Sequence, residues 1–361
     1  MTTSTAKGVL LASFGVCLAA LSLELALRLA HGRMTDFEPL TPQARIRRMD
    51  YDPRLGWIPR SGRITTDWSS SVDASGLRSS GASIETTERP ILVVGDSFTF
   101  GDEVADDETW PAHLETVMNR RVLNAGVSAY GVDQAFLRAE VLLEKYEADV
   151  VILAFIAEDI DRTEYSYFAW GHGWKPYFED ADGSLTLRNV PVPRILLRRR
   201  LQTLRHILSY SFLANAILGR IASEWWLDVP IVERIHRDGE DVSVRLLSRL
   251  DDLMRSRNGR FVAIALPTQR TASRARVTNV VKRALEEDVS VLDLSTAIPT
   301  LPAGESSNLF RPNGHYSPAM NRWVAEQIAA FLRARVSLPP HPPIDVAADG
   351  TSTPPRTLRI N

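Results

Sequence analysis

The sequence predicts an α/β fold, a parallel sheet covered on both faces, preceded by one N-terminal helix that crosses a membrane. Two observations carry this. Five short apolar runs alternate with helical patterns, and an almost unbroken apolar stretch follows a polar leader ending at Lys7. At roughly 150 residues per domain, 361 residues correspond to two domains or one large one. With 44% hydrophobic and 24% charged residues, a wholly disordered chain is excluded. A formal net charge of −2 gives no global attraction to nucleic acid. A single cysteine, Cys17, excludes a disulfide framework and a Cys-rich zinc site.

Gly8 to Leu23, continued through Leu25 to Ala30, gives about the 20 residues a helix needs to cross a bilayer core. Glu24 and Arg28 share a helix face near its end and can pair at the interface. A cleaved signal peptide is the competing reading, but the run is longer than the usual apolar core of one, and no clean small-x-small cleavage site follows it. Arg28, Arg33, Arg45, Arg47 and Arg48 outnumber Lys7, so charge counting places the following domain inside the cytoplasm.

The strand-like runs are Ile91–Gly95, Val122–Gly126, Asp149–Ile156, Phe261–Pro267 and Val289–Leu294. Helical patterns cover Trp110–Asn119, Val132–Tyr146 and Val277–Glu287. A last helix opens at Ser317-Pro318, a cap residue followed by proline in the first turn, and runs to about Val336. The domain plan is therefore a leader and anchor over 1–30, an extension over 31–90, the α/β domain over 91–336, and a Pro-rich disordered tail over 337–361. An insertion at about 161–238 breaks the alternation. It holds an aromatic loop from Tyr165 to Trp174 and a basic helix with Leu197, Leu201, Leu204 and Leu208 along one stripe. Its Arg198, Arg199, Arg200 and Arg205 suit a solvated face, or anionic lipid or substrate. Trp225-Trp226 reads as a core pair or an interfacial anchor.

Chemistry concentrates where Ile91-Leu-Val-Val-Gly95 runs into Asp96-Ser97. A buried strand ending in glycine turns tightly and exposes the Ser97 hydroxyl and N–H at the sheet edge. His315, in Asn313-Gly314-His315-Tyr316, is available as a base. No Gly-Lys-Ser/Thr follows the glycine, which argues against a phosphate-binding P-loop.

Gly95-Asp96-Ser97 resembles the nucleophile block of the SGNH (GDSL-type) hydrolases. Asn124 to Gly131 is similar to that family's second block, Glu158-Asp159 falls where the family has its Asn-Asp pair, and His315 falls on its histidine. Tyr51 to Trp57, Gly76-Leu-Arg78 and Lys175 to Phe178 resemble segments of bacterial membrane-anchored members, so the likeness spans about residues 50–335. It implies a flavodoxin-like three-layer α/β/α fold and hydrolysis or transfer of an ester-linked acyl group, with no cofactor and no metal. The implied substrates are ester-bearing small molecules, glycans or lipids of the cell envelope, which sets the domain outside the cytoplasmic membrane, against the arginine count. Ser97 is then the nucleophile, His315 the base and Asn313 the group orienting the imidazole. The oxyanion positions are Ser97, Ala129 and Glu158.

Three departures stand out. Ala129 replaces a glycine, Glu158 replaces an asparagine that donates to the oxyanion, and Asn313 stands where an aspartate is usual. A carboxylate only accepts, and losing one oxyanion donor costs about 2.7–4 kcal/mol. A weakened, ligand-binding descendant is therefore the second reading. A scaffold that meets a membrane complex through the basic insertion is a third.

Overall fold

The computed structural model describes residues 3–32, 49–65, 69–81, 86–168, 173–181, 183–193, 202–222, 232–269, 274–297 and 309–335, with a few isolated positions between. The 337–361 tail, Arg33, Arg45, Arg47, Arg48 and Arg198–Arg200 lie outside the described residues.

Five strands form a parallel sheet: β1 (Ile91–Val94), β2 (Val122–Asn124), β3 (Val150–Phe155), β4 (Arg260–Ala265) and β5 (Val291–Asp293). Their spatial order is 2-1-3-4-5, the flavodoxin-like arrangement. The first three strands are buried throughout, which is why they read as continuous apolar runs rather than as alternating ones.

The ten labelled helices are α1 (Thr3–Ala30), α2 (Ser97–Phe100), α3 (Trp110–Met118), α4 (Val132–Leu143), α5 (Ala157–Arg162), α6 (Gln202–Leu208), α7 (Phe212–Ile221), α8 (Gly239–Ser256), α9 (Arg274–Glu286) and α10 (Pro318–Arg335). Strand periodicity sorts the core into two halves. Leu92, Val94, Val151, Leu153 and Ala263 face α4, α8 and α9, while Ile91, Val93, Ile152 and Ile264 face α3 and α10. The result is three layers.

The five expected strands and the helices expected at 110–119, 132–146, 277–287 and 317–336 lie within a few residues of those observed. The Ser317 hydroxyl accepts from Met320 N–H at 3.3 Å, with Pro318 next to it, and so caps α10 as its sequence suggests. Helix α8 was not among the expected elements, although Val242, Leu246, Leu250 and Met254 mark its buried face. Within the insertion, strand Tyr165–Phe168 pairs with Gly173–Trp174 and Val232–Arg234. Arg205 faces neither water nor lipid: it is buried and donates to the Trp225 carbonyl at 2.8 Å. Trp226 is a core residue, its indole N–H donating to Asn215 at 2.8 Å.

A buried ion pair, Lys175–Asp133, pins the insertion to the amino end of α4. Both side chains are fully shielded from water; burial pushes Asp133 up and Lys175 down, and their mutual attraction opposes both shifts. Lys175→Met strands the carboxylate and is expected to lower stability by about 3–5 kcal/mol, much of it recovered on adding Asp133→Leu. Denaturant unfolding followed by tryptophan fluorescence measures both.

Candidate active site

Because the five strands are parallel, the loops after β1, β2 and β3 leave the same sheet edge, and they carry Ser97, Ala129 and Glu158 respectively. Strand order reverses between β1 and β3, and such a switch point opens a crevice. Ser97 begins α2 there. Asp96 caps that helix, accepting from Phe98 N–H at 2.9 Å, and Gly101 closes it with φ 89°. The second loop presses against this turn: a Cβ on Gly126 would lie 2.2 Å from the Phe100 backbone nitrogen. Only glycine fits.

His315 arrives from the far end of the chain. Its Nε2 lies 2.9 Å from Ser97 Oγ, and its Nδ1 lies 2.9 Å from Glu103 Oε2. The imidazole is packed on Phe98, with ring centroids 5.1 Å apart. The following Tyr316 fixes the loop by donating to the Pro267 carbonyl at 2.7 Å.

Asn313 does not orient the imidazole. Its amide donates to Glu103 Oε1 at 2.6 Å, while the other oxygen of that carboxylate meets the histidine. A full charge therefore stands where the sequence pattern suggested a neutral amide. Glu103 was not among the expected site residues. Its signal was weak: one of two adjacent acids just after Gly101, in an otherwise buried stretch.

Arg78 holds Glu103 in place. Its buried guanidinium donates to the carbonyls of Phe100 at 2.9 Å and Val104 at 2.6 Å, to that of Gly101, and to the Asp106 carboxylate at 3.1 Å. The loop it grips is strained: Glu103 has φ 72°, and Ala129 has φ 68°. Among the described residues, these are the only positive-φ positions that are not Gly, Asn or Asp. Both lie at this site, where strain is most often retained.

Behind the serine, Arg162 bridges two buried acids, Asp159 and Asp96, the latter at 3.3 Å, and donates to the Tyr130 carbonyl at 3.0 Å. Burial raises Asp159 well above the usual carboxylate range and Asp96's charge adds to this, while Arg162 opposes it. Burial raises Asp96 too, again against Arg162. Glu158 stands at the start of α5, partly buried, and adds its negative charge beside Asp159 and Asp161.

Burial alone would depress the His315 pKa, but the Glu103 hydrogen bond and the charges of Asp102, Glu103 and Asp96 raise it above its ordinary value. Burial likewise works to raise Glu103, and the His315 bond and charge with the Asn313 amide outweigh it, holding the carboxyl low. The histidine's contribution to stability is complete below its ordinary pKa and lost as pH rises through the raised one. The glutamate's is complete above its ordinary pKa and lost as pH falls through the lowered one.

A cleft of about 590 Å³ lies elsewhere, beside β2, lined by Ser71, Arg78, Glu115 and Arg121 among others. None of Ser97, Glu103 and His315 lines it. Among the described residues no group of His, Cys, Asp and Glu is placed to hold a metal ion.

No family model and no curated protein matches the chain. Among solved structures it is similar to GDSL-type lipolytic hydrolases. One, from Desulfitobacterium hafniense and assigned to the G-D-S-L lipolytic family, is 16% identical, with 68% of this chain and 100% of that chain covered, at a TM-score of 0.37. A lipase/acylhydrolase from Enterococcus faecalis is 17% identical over 69% of this chain and 97% of its own, at a TM-score of 0.36. The psychrotrophic esterase EstA from Pseudoalteromonas sp., solved with monoethylphosphonate as inhibitor, is 11% identical over 68% and 98%, at a TM-score of 0.37.

Two outcomes follow from this geometry. By NMR titration, His315 has a midpoint above that of an unperturbed histidine side chain, and Glu103→Gln moves it down. Ala129→Gly removes the left-handed strain and raises unfolding free energy by roughly 0.5–1 kcal/mol, measured by denaturant unfolding.

Proposed function

We propose that the chain is an SGNH-type serine hydrolase of ester bonds, held at a membrane by α1, with ester-bearing small molecules, glycans or lipids as its substrate class. The observation that carries this is the continuous relay Ser97–His315–Glu103, with 2.9 Å at each of its two links. The Leu11–Ala30 segment is long and apolar enough to cross a bilayer, a property shared with signal sequences.

In this reading Glu103 fixes the tautomer, taking the N–H of His315 Nδ1 and leaving Nε2 to accept the serine proton. As Ser97 Oγ attacks the ester carbonyl carbon, that proton passes to His315, and the carboxylate offsets the imidazolium charge. The backbone N–H groups of Ser97 and Ala129 receive the developing oxyanion. Collapse of the tetrahedral species breaks the bond to the alcohol oxygen, which takes the proton from His315. Water then attacks the acyl-serine with His315 again as base, restoring Ser97 and freeing the acid. A second alcohol in place of water makes the reaction an acyl transfer.

Glu158 is what favours the alternative, a weakened binder of acylated or glycan ligands, since a carboxylate opposes the charge that an oxyanion hole stabilises. The Asn313 departure no longer favours it, because Glu103 supplies the missing charge.

The first test treats the detergent-solubilised full chain with a fluorophosphonate probe and maps the adduct by mass spectrometry. A phosphonyl group on Ser97, absent from Ser97→Ala, is the expected result; an unmodified Ser97 together with no hydrolysis of nitrophenyl acetate would leave the binder ahead. On the acid side, kcat/KM falls as pH drops through the raised His315 pKa, because only the neutral imidazole accepts the proton. Glu103→Gln moves that limb to lower pH and cuts the plateau by about 10²- to 10⁴-fold. Glu158→Asn raises kcat with little change in KM if this position faces the oxyanion.

A further inference from the structure

Helix α1 and helix α7 are joined by a polar clasp that the hydrolytic reading does not use. Glu24, inside the apolar span, accepts from Ser211 Oγ at 2.9 Å and from the backbone N–H groups of Phe212 at 3.1 Å and Leu213 at 2.8 Å. Those N–H groups open α7 and have no partner within that helix. A carboxylate also suits the positive end of the helix dipole. Arg28 pairs with Glu24 at 2.8 Å and donates to the Tyr210 carbonyl at 2.6 Å, with its guanidinium 5.3 Å from the centre of the Phe212 ring.

Beyond the clasp the helix is apolar. Its sequence, Phe-Leu-Ala-Asn-Ala-Ile-Leu-Gly-Arg-Ile, carries one charge, and none of its residues is buried. Ile217 and Ile221, one turn apart on the same face, are 47% and 76% exposed, and Ile207 on neighbouring α6 is 62% exposed. None of the Leu11–Ala30 window is buried within the protein either. The two helices are therefore joined by a shared set of hydrogen bonds, and each leaves apolar side chains uncovered.

We infer that α7 is a second membrane-contacting element, lying at the boundary between headgroups and acyl chains with Ile217 and Ile221 in lipid, clasped to a retained α1 by Glu24 and Arg28. The occupant of this face is a lipid bilayer because the helix that carries it is bonded at its first turn to one already long enough to span a bilayer, and because its single charge lies near its end. A carboxylate within a span is costly unless paired, and here an arginine and the end of another helix pair it. Loss of α1 by cleavage would remove the clasp and leave the first N–H groups of α7 open. The inference does not rest on ester chemistry.

The test uses the full chain in phosphatidylcholine/phosphatidylglycerol nanodiscs, with Cys17→Ser as background and single cysteines at Ile217, Ile221, Leu21 and Lys282 carrying a nitroxide. Power saturation compares collision with oxygen, which enters lipid, and with a neutral nickel chelate, which stays in water. Oxygen should dominate at positions 217 and 221 as at 21, with nickel dominating several-fold at 282. Nickel dominance at 217 and 221 overturns the inference. So does dipolar broadening between labels of two copies, which would make the face a dimer contact. The unsubstituted chain provides a second readout: a lipid-soluble diazirine should label peptides spanning 212–221, and its intact mass from membranes should include residues 1–30. An unlabelled 212–221 peptide, or a mass lacking α1, overturns the inference equally.

Discussion

The geometry of the crevice depends on one buried guanidinium. Arg78 reaches from the extension that precedes the sheet and binds three carbonyls and one carboxylate of the loop after α2. That loop must do two incompatible things: turn back sharply beyond Gly101, and present Glu103 toward a histidine from the other end of the chain. It manages both by leaving Glu103 in left-handed backbone, a conformation costing roughly 1–3 kcal/mol that survives only where its surroundings fix it. Arg78 provides that fixing. A lysine could not, because the contact needs a planar fork with several donors in set directions.

The same pattern recurs behind the serine and below α4. Arg162 joins the β1 and β3 loops through Asp96 and Asp159, and Lys175 joins the insertion to α4 through Asp133. Lys175 is buried and Arg162 half-buried, each against buried carboxylates, and each link ties a loop or the insertion to the parts beside it. Buried ion pairs add little net stability over apolar packing, but parting one leaves an uncompensated buried charge. In this protein they set where the loops lie, while the apolar strands supply the driving force for burial.

Much of the sheet was legible in the sequence because it is buried on both faces. Runs such as Ile91–Val94 and Val150–Phe155 leave little ambiguity once helical patterns separate them. Ser97 was legible as the residue after a strand and a turn. The partner of His315 was not. The family resemblance pointed to Asn313, two positions away, whereas the acid comes from 212 positions upstream. Nothing periodic marks Glu103; its place follows from the grip of Arg78, a tertiary fact. Arg205 misled for the opposite reason. Among arginines it read as surface charge, whereas it is buried and bonded to the Trp225 carbonyl.

Ser97 and Glu103 lie at the two ends of one short helix and turn, but Ser97 and His315 are 218 positions apart. At the roughly 5–20 residues per second of synthesis, the imidazole leaves the ribosome about 10–45 s after the serine. In that interval the chain carries the hydroxyl and the carboxylate but no base between them. On the hydrolase reading the nascent chain is therefore inert until the segment around His315 has been made. Activity begins only when the C-terminal loop docks, so a measured rate also reports that the whole domain has closed.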